Sequence, residues 1–162
     1  MESLMMKIKT RKFNDRGLTK LIKQAAKFYA IQLIPEHYDH VYLDIYANKI
    51  KADGTCLQMD DYDFEIEINQ KLSFEHMMIT LAHEMIHLKQ YVTRELKTKV
   101  VKGKCIDTWK GVKYRNIKYD EQPWEHEAMD MEEELYHMFL LYSLMSDTLD
   151  FKTIKQIDKR AS

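Results

Sequence analysis

Thr80-Leu81-Ala82-His83-Glu84-Met85-Ile86-His87-Leu88-Lys89-Gln90-Tyr91 is a run without Gly or Pro, and residues 83–87 within it form an H-E-x-x-H set. On a helix, positions i and i+4 lie about one turn apart on one face. The imidazoles of His83 and His87 can then bind one Zn²⁺, with Glu84 close enough to act on a water at the metal. The surroundings favour that helix. Ser73 is a good N-cap and Glu75 suits the positive end of a first turn, so the spacing predicts a helix from about Phe74 to Val92 or a little beyond. Phe74, Met77, Met78, Leu81, Ala82, Met85, Ile86 and Leu88 would supply its apolar side.

Upstream, Asp61 to Ile68 alternates, with Tyr62, Phe64, Ile66 and Ile68 on one face and acids on the other. That is the pattern of a half-buried antiparallel strand. Val41 to Ile50 alternates and is rich in β-formers. Asp53-Gly54 reads as a hairpin signal that returns the chain along Thr55 to Met59. Leu18, Leu21, Ile22, Ala25, Phe28, Tyr29 and Leu33 recur at helical spacing, and Pro35 closes that helix. Residues 1–17 read as a loosely held basic arm.

Downstream, Lys97 to Lys118 is basic and β-prone, which suggests one or two short strands joined at Gly103 and Gly111. Pro123 is placed to open a last helix, with Glu125 and Glu127 at its positive end. Ala128, Met131, Leu135, Met138, Phe139, Tyr142 and Met145 form its expected buried stripe, and residues 151–162 a polar tail. The expectation is one α+β domain over residues 18–150: N-terminal helix, small antiparallel sheet, H-E-x-x-H helix, basic hairpin-like connection, C-terminal helix. An extended peptide could pair with the exposed sheet edge.

The length of 162 residues suits a single core. No run of ~18 apolar residues is present, so no membrane span is expected. The N-terminal segment lacks a secretory pattern, and Cys56 and Cys105 are too few for a four-thiolate zinc site. Reduced thiols and a cytoplasmic location follow as the default. Net charge is −1 but unevenly distributed. Lys97, Lys99, Lys102, Lys104, Lys110, Lys113, Arg115 and Lys118 face only Asp107 in their segment, whereas Tyr119 to Asp150 holds no Lys or Arg. Such asymmetry marks either a surface for acidic partners or neighbouring elements that complement each other within the fold. Nothing in the sequence specifies an oligomeric state.

A catalytic zinc needs a third protein ligand and an open position. His76 is seven residues from His83, ~10 Å along a helix, which is too far to share an ion. His37 and His40 have a weak H-x-x-H spacing suited to surface histidines. His126, His137, Glu125, Glu127 and other acids remain, and periodicity leaves Glu125 and Glu127 equivalent beside the apolar stripe.

TLAHEMIHLKQY at residues 80–91, followed by TWKGVKY at residues 108–114 and EQPWEHEA at residues 121–128, resembles the small SprT-like metallopeptidase-like proteins common in bacteriophages and bacteria. The last stretch is also similar to the third-ligand helix of ImmA/IrrE-type peptidases. The resemblance covers residues 18–140 and implies a minimal zincin-like domain. It implies zinc bound by His83, His87 and Glu125, with Ala128 as a small packing residue. Met129 departs from the pattern, where an Asp or Asn would supply a hydrogen bond. The third histidine and zinc ribbon of proteins nearer SprT are not evident, so that branch's DNA–protein crosslink role does not carry over.

The implied function is a zinc metallopeptidase that hydrolyses peptide bonds of a protein or peptide substrate by zinc-activated water, with Glu84 as general base. His126, Tyr114 and Tyr119 are candidates to stabilise the oxyanion. Two alternatives compete. One is a zinc-stabilised, non-catalytic binding protein on the same scaffold, of the kind phages use against host factors. The other is a nucleic-acid partner bound through Lys97–Lys118, with Trp109, Tyr114 and Tyr119 stacking on bases.

Overall fold

A computed structural model describes residues 5–146 and 151–161. The architecture is α+β: four helices, a four-stranded mixed sheet and a separate three-stranded antiparallel sheet. The expected domain end at residue 150 lies outside the described residues.

The four-stranded sheet has the order β1 (Lys7–Arg11), β2 (Tyr42–Asn48), β4 (Asp63–Asn69), β3 (Gly54–Asp60). β1 and β4 both run parallel to β2, and only β3 is antiparallel, against β4. This corrects the antiparallel expectation and the hairpin at Asp53-Gly54. β2 and β3 are not neighbours, and the tight turn instead joins β3 to β4 at Asp61-Tyr62. Burial explains the outcome. In-register pairing of β2 with β4 sets Leu43 beside Phe64, Ile45 beside Ile66 and Ala47 beside Ile68, all on the buried side. Each large apolar side chain contributes roughly 1.5–3 kcal/mol when buried, far more than the slight per-residue advantage of antiparallel pairing.

The segment read as a loose arm is also corrected: residues 7–11 form edge strand β1, with Ile8 level with Leu43. Asp15 then caps α1 (Arg16–Leu33) by accepting from the Leu18 N–H at 3.0 Å. α1 and α2 (Phe74–Val92) cover the buried face of the sheet with Leu21, Ile22, Ala25, Tyr29, Met78, Leu81, Met85 and Ile86 in one core. α2 has the predicted bounds, and the Ser73 hydroxyl accepts from the His76 N–H.

The basic connection holds three strands, β5 (Leu96–Val101), β6 (Lys104–Trp109) and β7 (Val112–Tyr114). Leu96 and Trp109 on its inner face meet Trp124 at the start of α3 (Pro123–Met145). Along α3 the buried residues are Trp124, Glu125, Ala128, Leu135, Tyr136, Phe139 and Ser143, whereas Met138, Tyr142 and Met145 of the expected stripe are exposed. Toward its C-terminal end α3 meets α1, with Phe28 stacked on Tyr142 at 5.2 Å, and a helix covered from one side buries about one residue per turn. The expected polar tail is α4 (Phe151–Ala161). It buries Ile157, Asp158 accepts from the Phe74 N–H at 2.5 Å, and Arg160 pairs with Asp15 at 2.6 Å. No helix among the described residues is long and apolar enough to cross a membrane. Cys56 and Cys105 are free thiols.

Candidate metal centre

α2 and α3 are the most extensively packed helix pair, and the candidate site lies between them. One helical turn places His83 and His87 on the face of α2 that meets α3. There their rings stand nearly perpendicular with centroids 4.7 Å apart. Trp124, buried against Leu96 and Trp109, fixes the first turn of α3 and aims Glu125 at the same point. Both imidazoles and both oxygens of the Glu125 carboxylate converge. His83 Nε2 lies 3.0 Å from Glu125 Oε2, His87 Nε2 lies 3.1 Å from Glu125 Oε1, and the two Nε2 atoms are 3.1 Å apart. Ligands held ~2.0–2.1 Å from one tetrahedral ion stand about 3.3 Å from each other, and one ligand atom from each of the three residues lies within 4.8 Å of the other two, which is compatible with a metal ion.

Both imidazoles are held from behind. His83 Nδ1 donates to Glu132 Oε2 at 2.6 Å, and His87 Nδ1 donates to Gln90 Oε1 at 2.8 Å. Donation from Nδ1 leaves each Nε2 lone pair for the centre, which is how outer hydrogen bonds orient metal-binding histidines. Gln90 is fully buried and its amide donates to the Trp124 carbonyl at 3.0 Å and to Glu127 at 3.2 Å. Glu127, equivalent to Glu125 by periodicity, is thereby committed elsewhere: it also receives Lys89 at 2.9 Å.

The charges reinforce one another. Burial opposes protonation of His83, but Glu125, Glu84 and Glu132 around it outweigh this and push it up to about 9. His87 is raised by the same opposition of burial to Glu125 and Glu84. Burial likewise works against the Glu125 charge, yet the two imidazoles hold its carboxyl well below the usual carboxylate range. Glu84 is only 5% exposed, and burial pushes it up to about 7 although His87 and His83 favour its charge. A carboxyl poised near neutrality beside a candidate metal-binding cluster is suited to exchanging a proton near neutral pH.

The site is open. A cleft of about 770 Å³ and a smaller one of about 240 Å³ meet at Gly54, His83, Glu84 and Tyr119, which line both. Gly54, Thr55 and Cys56 of edge strand β3 line the smaller one. β3 passes so close to α2 that a Cβ on Gly54 would stand 2.6 Å from Thr80 Cγ2 and 3.1 Å from Glu84 Cγ. Gly54 therefore serves close approach rather than a turn.

Of the three residues considered for the oxyanion, Tyr119 alone lines the clefts, with its hydroxyl near enough to Glu125 for each to shift the other. Tyr114 packs edge-on against Trp124 at 5.7 Å, and His126 is exposed and donates to the Asp120 carbonyl at 2.6 Å. His76 is exposed at the rim of the large cleft, and His137 is exposed on α3. Two participants escaped sequence reasoning, Glu132 and Gln90. Glu132 is seven residues beyond Glu125, hence on the same side of α3 two turns on, and Gln90 is one turn beyond His87. No protein-family model, curated protein or solved structure matches the chain.

Proposed function

We propose that the protein is a zinc metallopeptidase of minimal zincin-like design, with His83, His87 and Glu125 as ligands and Glu84 as general base. The observation that carries this reading is the convergence of the two Nε2 atoms and the Glu125 carboxylate, with neighbouring atoms 3.0–3.1 Å apart, and the buried Glu84 carboxyl beside them in an open cleft. Two imidazoles and one carboxylate match the donor set of catalytic zinc, which when bound would activate water and polarise a scissile carbonyl. Glu132 and Gln90 orient the imidazoles. Glu84 takes a proton from the attacking water and returns it to the leaving amine. Tyr119, which lines the smaller cleft, would stabilise the oxyanion. β3 offers the substrate backbone an edge whose outer side pairs with no described strand. The test joins metal analysis with Glu84→Gln. About one zinc per chain in both proteins, with peptide hydrolysis lost only in the variant, is expected. Zinc retention with undiminished biological function in the variant would instead select the binding-protein alternative.

A second reading is favoured by the register of β5–β7. Pairing places Lys97, Lys99, Lys104 and Lys113 on one face, while Asp107 lies on the other. None of these lysines forms an ion pair with a described residue. Lys110, by contrast, reaches Glu95 at 3.6 Å, so the basic segment is only partly neutralised within the fold. Trp109 and Tyr114 turn inward onto Trp124, which corrects their expected stacking on bases. What remains is contact with phosphates, whose affinity must fall steeply with salt. Neutralising these four lysines should abolish such binding, and no binding to DNA or RNA at low salt would remove this reading.

A further inference from the structure

The large cleft beside Glu84 has a composition the hydrolytic mechanism does not use. Asp53, Glu75 and Glu133 stand on its rim, all exposed, and no Lys or Arg lines it. None of the three carboxylates forms an ion pair with a described residue. They come from three separate places: the loop before β3, the first turn of α2 and the second turn beyond Glu125 on α3. Between them the lining includes the apolar side chains of Leu72, Ile79 and Met129. Glu84, more than nine-tenths buried, faces this space and receives no hydrogen bond from any described residue. The Glu84 carboxyl thus opens onto this volume without a hydrogen-bond partner among the described residues, and a ligand entering the cleft meets it.

A side chain that suits these walls needs a long aliphatic stem for the apolar lining and a cationic head for the rim. Lysine and arginine have that division, burying their methylenes while their charge stays near solvent and acids. An acidic side chain would meet like charge from three directions, and a short neutral one would leave the apolar lining uncovered.

Resting on the peptidase reading, we propose that this cleft is a specificity pocket for a lysine or arginine side chain of the substrate, with Glu75 and Glu133 as its principal anionic partners. The site thus prefers basic peptide segments, bound with one cationic residue at a fixed distance from the scissile bond.

The experiment measures equilibrium binding, so its readout is independent of turnover. Zinc-loaded Glu84→Gln protein is titrated with fluorescent peptides in which a single lysine is moved through an Ala/Ser background. Matched twins carry norleucine or glutamate at the same place. At one position lysine should bind about tenfold more tightly than norleucine, with glutamate weakest. The advantage should shrink severalfold in the additional Glu75→Gln/Glu133→Gln variant and at high salt. Both carboxylates are exposed, so that variant should fold. Equal binding of lysine and norleucine at every position, or an advantage untouched by the double substitution, would overturn the pocket. Wild-type cleavage of all peptides alike would retain hydrolysis and reject the pocket. Selective binding without wild-type cleavage would retain the pocket and reject hydrolysis.

Discussion

Glu132 never reaches the metal triangle, yet it sets the direction of one of its corners through the 2.6 Å bond to His83 Nδ1. Substitutions of such outer partners typically weaken metal binding 10–100-fold. Glu132→Gln, which keeps the shape and loses the charge, should therefore lower zinc affinity within that range while the fold persists. Competition with a chromophoric chelator measures it, and an unchanged affinity would mean the bond does not orient His83. Gly54 acts by what it lacks. An alanine there would press its Cβ against Thr80 Cγ2 and Glu84 Cγ, which forces β3 or Glu84 to move. Gly54→Ala should destabilise by about 1–3 kcal/mol and depress hydrolysis while zinc content stays normal. Adding Thr80→Ser, which deletes that methyl, should recover part of both. If denaturant midpoint and turnover were both unaffected by Gly54→Ala, the close approach would carry no consequence. At this scale His83, Glu84 and His87 were legible because a helix converts their spacing into proximity. Glu132 and Gly54 were not, because each matters only against an element remote in sequence.

Among the elements, α1, α2 and α3 announced themselves through apolar periodicity and end signals: Ser73 before α2, Pro123 opening α3, Pro35 after α1. Strand existence was equally readable in Asp63–Asn69, but strand partnership was not. Alternation reports that a strand has an inner face and says nothing of its neighbour, so Asp53-Gly54 pulled the reading toward a local hairpin that the β2–β4 pairing displaces. β1 was hidden because Lys7, Lys9 and Arg11 occupy its exposed side and leave only Ile8 and Thr10 as inward signals. α4 was hidden because it matters through caps. Its Asp158 serves the Phe74 N–H, one of the donors at the start of α2 that the helix leaves unmatched. Asp158→Ala should cost about 1 kcal/mol and lower the melting temperature by about 2–4 °C. Calorimetry checks this, and an unchanged melting temperature would show α4 to be dispensable to α2.

For the whole molecule, the buried charges couple stability to pH and to metal. In metal-free protein His83 titrates at about 9 against 6.5 in its ordinary state, so its stabilising contribution is full below 6.5 and is lost as pH rises through 9. Glu84 acts in the same sense, since its value is raised from 4.5 to about 7 and burial of its charge costs stability through that interval. Glu125, with a depressed value, contributes above 4.5 and loses its contribution as pH falls. Metal-free protein should thus be most stable near the lower end of the 4.5–6.5 interval and weaken toward pH 9. Zinc competes with protons for the imidazoles, so its stabilisation should grow over the same range. Melting curves with zinc and with chelator should therefore diverge from pH 5 to pH 9. A constant separation would remove the proton–metal competition.

The 42-residue gap between His83 and Glu125 has a consequence in time. A ribosome adds residues at ≈ 5–20 per second, so roughly 2–8 s separate synthesis of the first ligand from that of the third. During that interval the nascent chain carries Glu84 and both histidines on α2 with no carboxylate to complete the triangle. Vectorial synthesis thereby leaves the proposed site incomplete until both sheets and α2 have been made and α3 has begun.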